Sequence, residues 1–297
     1  MHIPDMMLQG AICPATAAIA SVGLAGTAYF ASTTKIKPAA SMFASVTALI
    51  FAAQMANFPV QLGTSGHLLG ATLAVALLGS AFGILAMSLV VLVQCLLFAD
   101  GGMSVLGANI LNMALLASLP AVIVREFYAS TSFQKSAYFA AAFVSTLLAA
   151  AACAVQLAMA GVAPIQNVLP AMLSVHILIG LAEAGLTVAA LVVLSYTVTR
   201  VAPHRTWLVP LGFAAVIAIV VSPFASGLPD GLESVAAALQ FEHLSGTLFV
   251  APFADYMVPT VNSATLSTAL AGFLGVSLLF GIAYGTGRML AQKERER

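Results

Sequence analysis

The sequence predicts an all-α polytopic membrane protein with about nine transmembrane helices. Hydrophobic residues make up 61% of its 297 residues and charged residues 7%, whereas about 25% of a typical soluble domain is charged. The mean hydropathy is +1.06. The apolar residues run in long stretches instead of alternating with polar ones, which argues against a transmembrane barrel. So few charges cannot cover a water-soluble surface, so we expect membrane lipid around the chain.

Glycine, proline and charged residues divide the chain into apolar segments of about 20 residues, the length that crosses the hydrocarbon core of a bilayer. The first segment is not interpreted as a cleaved signal peptide, because the residues before it include Asp5 and no Lys or Arg. The uncharged run from Gly66 to Ala99 is divided near Gly79–Gly83. In chain order, the predicted spans are residues 10–31, 39–57, 67–81, 83–99, 103–123, 136–161, 170–199, 206–223 and 267–287.

The basic residues predict the orientation of these spans. With the amino terminus outside and nine spans, all ten Lys and Arg residues fall on the cytoplasmic side, together with the carboxyl terminus. The predicted location is therefore the cell inner (plasma) membrane. The acidic external loop 224–266 fits either attraction of cations or the ordinary absence of bases from such loops. The acidic residues assigned to the outer side are Asp5, Asp100, Asp230, Glu233, Glu242 and Asp255.

Polar side chains converge on the outer half of the predicted bundle. Glu183 is the only charged residue placed well inside the membrane, where such groups are usually functional. His176 lies seven residues before it, on the same helix face. The group predicts either a cavity open to the outside or hydrogen bonds between helices. Its members are His2, His67, Gln94, Asp100, Asn109, Asn112, His176 and Glu183.

The first two residues have the makings of a metal chelate. The amine of Met1, the amide nitrogen of His2 and the Nδ1 atom of its ring can bind one ion through a five- and a six-membered ring. A fourth nitrogen in the same plane would complete a square-planar site, the geometry of Ni(II) and Cu(II). His67 is the expected fourth ligand, because the topology brings its loop to the side of Met1. The alternative is that His2 is an ordinary solvated residue.

The segment from Gly63 to His67, with Thr64 and Ser65 between them, allows two interpretations. Its glycines permit a tight turn that directs His67 back beneath the loop. The same residues match the Gly-x-Ser-Gly pattern of rhomboid-type intramembrane proteases. That chemistry requires a histidine base beside Ser65, and His176 is the candidate.

A stripe of alanines follows the second predicted span at intervals of four residues. Such a stripe suits close helix packing, either inside this chain or against a partner. It consists of Ala40, Ala44, Ala48, Ala52 and Ala56.

Several functions are excluded by missing features. The chain has no Gly-x-x-x-x-Gly-Lys-Ser/Thr motif for ATP, no His-Glu-x-x-His zinc motif and no Gly-x-Gly-x-x-Gly dinucleotide motif. Its formal net charge is zero, which excludes a nucleic-acid partner.

Five segments together resemble the CbiM/NikM family, the substrate-binding S components of energy-coupling-factor (ECF) transporters for cobalt and nickel. The tail 206–297, with Pro-Asp-Gly-Leu-Glu at 229–233, resembles the small NikN/CbiN-type subunit. The chain thus resembles a fusion, with an S component at 1–203 and a NikN/CbiN-like domain at 204–297. Residues 6 and 7 depart from the family pattern, since Met6-Met7 stands where a glycine and an aromatic are expected. The matching segments are MHIPD (1–5), NFPVQLGTSGHLLG (57–70), QCLLFADGG (94–102), LGANILNMA (106–114) and HILIGLAEAGLT (176–187).

The resemblance implies a function and a site. It implies import of Ni(II) or Co(II) as the transported substrate, held by Met1, the two nitrogens of His2 and His67. Thr64, Ser65, Gln94, Asp100, Asn109, Asn112, His176 and Glu183 are the expected second shell or cavity residues. The alanine stripe resembles the surface that docks on a transmembrane coupling (T) subunit. Two ATP-binding subunits would be separate chains, so the chain itself is not expected to be an enzyme.

Two other functions remain open at this point. An intramembrane serine protease would depend on Ser65 and His176. A secondary ion-coupled transporter would use Glu183 as its ion or proton site and would need no ATPase partner.

Overall fold

A computed structural model describes residues 1–61, 63–128 and 131–292 of this chain. These residues are mostly helical, with one short antiparallel ribbon of β1 (Phe58–Pro59) and β2 (Ser65–Gly66). The all-α fold is therefore confirmed. Lys293, Arg295 and Arg297, which the topology assigns to the cytoplasmic side, lie outside the described residues. The helices are α1 (Ile12–Thr33), α2 (Ala40–Met55), α3 (Ala71–Leu78), α4 (Ser80–Phe98), α5 (Leu106–Tyr128), α6 (Gln134–Met159), α7 (Ile165–Val198), α8 (Pro203–Phe224), α9 (Gly231–Ala238) and α10 (Ala264–Gln292).

Seven described helices are long and apolar enough to cross a membrane, namely α1, α4, α5, α6, α7, α8 and α10. Helix α2 is apolar but shorter, with 16 residues. The predicted span 67–81 differs most from its prediction, because the helix there, α3, has only eight residues and ends before α4 begins at Ser80. Its length is limited by two glycines with positive φ, Gly70 at 83° and Gly79 at 88°. The number of membrane crossings and their orientation stay predictions.

Helices α3 and α4 form a tight antiparallel pair that turns at Gly79. The close approach depends on Gly83, because a Cβ atom at this position would lie 2.7 Å from the backbone Cα and N atoms of Val75. The side chain of Arg125 lies beside the turn and donates to the carbonyl of Ala76 at 3.4 Å.

Glu183 of α7 has a structural partner in the backbone that leads into α3. Its carboxylate accepts hydrogen bonds from the amide nitrogens of Leu69 at 2.7 Å and Gly70 at 2.9 Å. These amides precede the first turn of α3, where a helix has no intrahelical acceptors for its N–H groups. In a membrane, non-helical backbone is tolerated only where it is buried in protein and satisfied. Glu183 therefore stabilises the interrupted segment that carries His67.

The alanine stripe packs within this chain. Ala44, Ala48 and Ala52 are fully buried, and α2 packs extensively against α10, α8 and α4. A Cβ atom added at Gly287 of α10 would lie 3.1 Å from the Cα atom of Ala40. In this arrangement these three alanines are not available to a partner subunit, which favours the internal-packing alternative for the middle of the stripe. Ala40 and Ala56 are half-buried, and docking of a partner on the stripe stays a prediction.

Loops that are far apart in sequence meet at one end of the bundle. This end contains Met1, His67, Asp100 and the segment 225–263. The opposite end contains Lys37, whose ammonium donates to the carbonyl of Leu290 at 2.9 Å. The first end carries the polar side chains that were predicted to converge.

We expect Gly83→Ala to destabilise the protein by about 1–3 kcal/mol, the usual cost of an added methyl group that meets rigid backbone. The measurement is thermal unfolding of the purified protein in detergent. Gly185→Ala in α7 is the control, because a Cβ atom there meets open space in the described part of the chain. Equal melting temperatures for Gly83→Ala and wild type would contradict the close pairing of α3 with α4.

Candidate metal centre

The amino-terminal segment is buried and fixed by side chains from α5 and the loop before it. Asn109 holds the backbone of Ile3 on both sides, accepting from its N–H at 2.8 Å and donating to its carbonyl at 3.0 Å. Asp5 accepts from the amide of Ser104 at 2.8 Å and from its hydroxyl at 2.7 Å. A Cβ atom at Gly102 would collide with the backbone of Asp5. These contacts hold Met1 and His2 in place.

Met6 adopts φ of 68°, the left-handed region that side chains rarely occupy. This is one of the two positions at which the sequence departs from the family pattern, where a glycine is expected. The turn is retained without that glycine, and its backbone conformation is strained.

Met1, His2 and His67 lie together. The amine nitrogen of Met1 is 3.5 Å from the Nε2 atom of His67, although the two residues are 66 positions apart. The rings of His2 and His67 are stacked, with centroids 5.6 Å apart and planes at 20°. Three residues that can supply nitrogen donors therefore share one buried volume.

His67 is poised as a metal ligand. Its Nδ1 atom is 3.0 Å from the carbonyl of Leu68 and donates to it, so Nε2 carries the free lone pair that faces the Met1 amine. Burial, followed by the positive charges of the Met1 amine and His2, lowers the pKa of His67 to about 4. The ring is therefore neutral at physiological pH, which is the state that binds metals.

The amine of Met1 forms a buried ion pair with the carboxylate of Asp230. Burial alone would lower the pKa of this amine, but the adjacent Asp230 charge and hydrogen bond, with Asp100 behind them, raise it above its ordinary value. Burial would likewise raise the pKa of Asp230, and the Met1 ammonium overcomes it and lowers that pKa. The amine is therefore a cation until a metal or a base removes its proton.

His2 forms a second carboxylate pair. Its Nδ1 atom lies 2.8 Å from Oδ1 of Asp100. The other oxygen of Asp100 accepts from the hydroxyl of Tyr256 at 2.5 Å, and that hydroxyl in turn accepts from Nε2 of Gln94 at 3.0 Å. Burial would raise the pKa of Asp100, but His2 and the Tyr256 hydroxyl outweigh it and hold the pKa well below its usual range.

The Gly-Thr-Ser-Gly turn binds the segment 225–263 of the carboxyl-terminal region. The Ser65 hydroxyl donates to the carbonyl of Leu228 at 2.7 Å, and its amide donates to the carbonyl of Pro229 at 2.8 Å. The Thr64 hydroxyl donates to that of Ser234 at 2.9 Å. Ser65 has no hydrogen bond to His176 among the described residues, so the geometry does not support a serine protease.

His176 lies beneath the same loop. Its Nδ1 atom is 2.7 Å from the carbonyl of Met172, and its buried Nε2 atom has no partner among the described residues. A Cβ atom at Gly231 would lie 2.9 Å from this Nε2 atom. The ring therefore supports the start of α9 from below.

Two candidates lie outside the centre. Asn112 exchanges amide hydrogen bonds of 2.8 and 2.7 Å with Gln156, which ties α5 to α6. This is the interhelical hydrogen bonding that was the alternative for such residues. Glu183 accepts hydrogen bonds from the backbone that precedes α3, as described above.

The centre opens into a cavity of about 720 Å³. Among the described residues, no group of three or more His, Cys, Asp and Glu side chains is arranged to hold a metal ion. Such a group is not required where an amine and a backbone amide serve as donors. The cavity lining includes His2, His67, Asp100, Asp230, Glu242 and Tyr256.

Sequence reasoning missed two residues of the centre, Asp230 and Tyr256. Asp230 belongs to the Pro-Asp-Gly-Leu-Glu motif and was assigned only to the acidic external loop. Tyr256 is one of several aromatic residues in that loop, 156 positions from Asp100, and no local pattern indicates its partner.

Comparison with known proteins assigns both parts of the chain. Residues 2–204 match the family described as "Cobalt uptake substrate-specific transmembrane region", and residues 204–292 match the PDGLE domain. The chain is 32% identical to a putative fused nickel transport protein NikMN of Archaeoglobus fulgidus over 97% of its own length and 98% of that protein. It is 31% identical to a probable fused nickel transport protein LarMN of Lactiplantibacillus plantarum over 71% of its length and 68% of that protein.

A solved structure has the same fold over most of the first part. It is a crystal structure described as a truncated transition metal transporter, 27% identical, with a TM-score of 0.60. The match covers 66% of this chain and 99% of the other. The relatives are metal transport proteins rather than enzymes. The chain is therefore a multi-pass membrane component of metal uptake and belongs to the family of cobalt-uptake substrate-specific transmembrane proteins, joined to a PDGLE domain.

Proposed function

We propose that this chain is the substrate-binding component of an ECF-type transporter that imports Ni(II) or Co(II) across the cell membrane. The ion is held by four nitrogens, from the Met1 amine, the His2 amide, the His2 ring and His67. The observation that carries the proposal is the 3.5 Å approach of the Met1 amine to Nε2 of His67.

The chemistry of the donors supports a divalent transition metal. Amine and imidazole nitrogens suit Ni(II), Co(II) and Cu(II), and a planar set of four favours Ni(II) or Cu(II). Binding requires that Met1 leave Asp230 and that Nδ1 of His2 leave Asp100, so the ion replaces protons now shared with two carboxylates. Asn109 stays on Ile3 and keeps the backbone of the chelate in place.

The energy for transport comes from other chains in this proposal. The chain lacks a Gly-x-x-x-x-Gly-Lys-Ser/Thr motif, so two ATP-binding subunits and a transmembrane coupling subunit supply hydrolysis and movement. Because Ala44, Ala48 and Ala52 are buried inside the chain, these three residues are not available to the coupling subunit.

A tag of several residues left before Met1 should abolish tight binding. The tag moves the free amine away and converts the Met1 nitrogen into an amide, which must lose its proton before it can bind a metal. We expect Ni(II) affinity to fall more than about 100-fold, beyond the usual effect of an outer-shell change. Calorimetric titration of the tag-free and extended proteins measures this, with an intact Met1 amine verified by mass spectrometry. Unchanged affinity in the extended protein would exclude Met1 as a ligand.

His67→Ala should weaken Ni(II) binding far more than His204→Ala. His67 faces the Met1 amine, whereas His204 is exposed in the first turn of α8. The visible d–d band of the square-planar complex should disappear in the first variant and persist in the second. Equal affinities for the two variants would contradict the site.

Nickel binding should strengthen as the pH rises. Asp230 keeps the pKa of the Met1 amine above its ordinary value, so at neutral pH the amine carries a proton that must leave before it binds a metal. Below that pKa, each pH unit should change the apparent affinity at least about tenfold. Calorimetry in buffers of different ionisation enthalpy also counts the released protons. A constant affinity between about pH 6 and pH 8 would contradict an amine ligand.

A further inference from the structure

We propose that Asp230 and Tyr256, both from the carboxyl-terminal region, are positioning residues that fix the Met1 amine and the His2 ring, and that Asp230 and Asp100 supply the counter-charge for a divalent cation. This inference rests on the proposed function for the identity of the ion, and its geometric part can be tested without any metal.

Each amino-terminal donor is held through a carboxylate that the rest of the chain fixes. Asp230 is the N-cap of α9, and it accepts from the amide of Glu233 at 2.9 Å while Glu233 accepts from the amide of Asp230 at 2.9 Å. This reciprocal pair is a capping box, which fixes the conformation of both side chains. The remaining oxygen of Asp230 therefore points at Met1 from a rigid support.

Tyr256 fixes the second carboxylate. Its ring stacks on Phe98 with centroids 4.8 Å apart, and its hydroxyl lies between Asp100 and Gln94. The backbone of Tyr256 has φ of 56°, a conformation that is costly for an aromatic residue and is retained only where surrounding contacts enforce it. The hydroxyl orients Asp100, and Asp100 holds the His2 ring of the metal-free protein through Nδ1, the nitrogen that the ion would take over.

The segment that carries both residues is attached to the amino-terminal part at several points. Besides the bonds from Thr64 and Ser65, the amide of Gly246 donates to the carbonyl of Asp5 at 2.9 Å, and that of Phe253 donates to the carbonyl of Leu97 at 2.9 Å. These bonds are spread along the segment between Leu228 and Phe253. The external loop therefore completes the site as one docked unit.

The charge of the centre favours a dication. The amine and both imidazoles bind a metal as neutral donors, and an ionised His2 amide offsets only one positive charge. The positive charge that remains on the bound ion would be strongly unfavourable in a buried site without a counter-charge. Asp100 and Asp230 lie against the donors, and no Lys or Arg is among the described residues that line the cavity.

The test compares Tyr256→Phe and Asp230→Asn with wild type, using Tyr29→Phe and Glu126→Gln as matched controls on exposed positions. Tyr256→Phe retains the ring stacking and removes only the hydroxyl. The first measurement is hydrogen–deuterium exchange of the amino-terminal peptide without metal. We expect faster exchange in both test variants and wild-type rates in both controls.

The second measurement is Ni(II) titration. We expect Tyr256→Phe to lower the affinity about tenfold to 100-fold, the usual effect of removing an outer partner of a metal ligand. Combining Tyr256→Phe with Asp100→Asn should cost no more than Asp100→Asn alone, because the hydroxyl acts only through that carboxylate. A purely structural role would lower the melting temperature and give additive losses.

The outcomes separate the two proposals. If wild type binds no Ni(II) but exchange rises in the variants, the positioning role stands and the proposed function fails. If wild type binds Ni(II) and both variants match it in exchange and affinity, the positioning role is wrong. If Asp230→Asn does not fold, Tyr256→Phe and its double mutant decide the question.

Discussion

A positive charge buried at the amine of Met1 requires a partner, and the end of the molecule that contains Met1 is arranged around that requirement. An isolated buried ammonium is strongly unfavourable, and Asp230 satisfies it from a position 229 residues away. To bring this carboxylate into place, the segment 225–263 docks on the Gly-Thr-Ser-Gly turn and on the carbonyl of Asp5. The turn also places His67 beside the same amine. One electrostatic constraint therefore brings together the nitrogen donors and the loop that packs over them.

Composition was enough to predict the fold class, because 61% hydrophobic residues in long runs permit little besides a helical membrane protein. The interrupted segment around α3 was harder to predict. Its residues are as apolar as those of a full span, and the interruption depends on the positive φ of Gly70 and Gly79 and on a carboxylate more than 100 residues later. Sequence periodicity carries no signal for such a distant acceptor.

For the site, sequence reasoning found residues with distinctive chemistry and missed those with ordinary chemistry. The amine, His2 and His67 were found because few side chains can form such a chelate, and the structure brings them together. Asn112 was grouped with them only because it is polar, and its partner is Gln156. Ser65 donates to the carbonyl of Leu228 and has no hydrogen bond to His176 among the described residues, which does not fit a nucleophile. Asp230 and Tyr256 depend on tertiary contacts alone.

The span of 229 residues between Met1 and Asp230 has a consequence for biosynthesis. Met1 leaves the ribosome first, yet its charge gains its partner only after more than three quarters of the chain has been made. Long-range contacts of this kind form late. The ion pair therefore cannot form until residue 230 has been made, and the centre is completed late in the assembly of the protein.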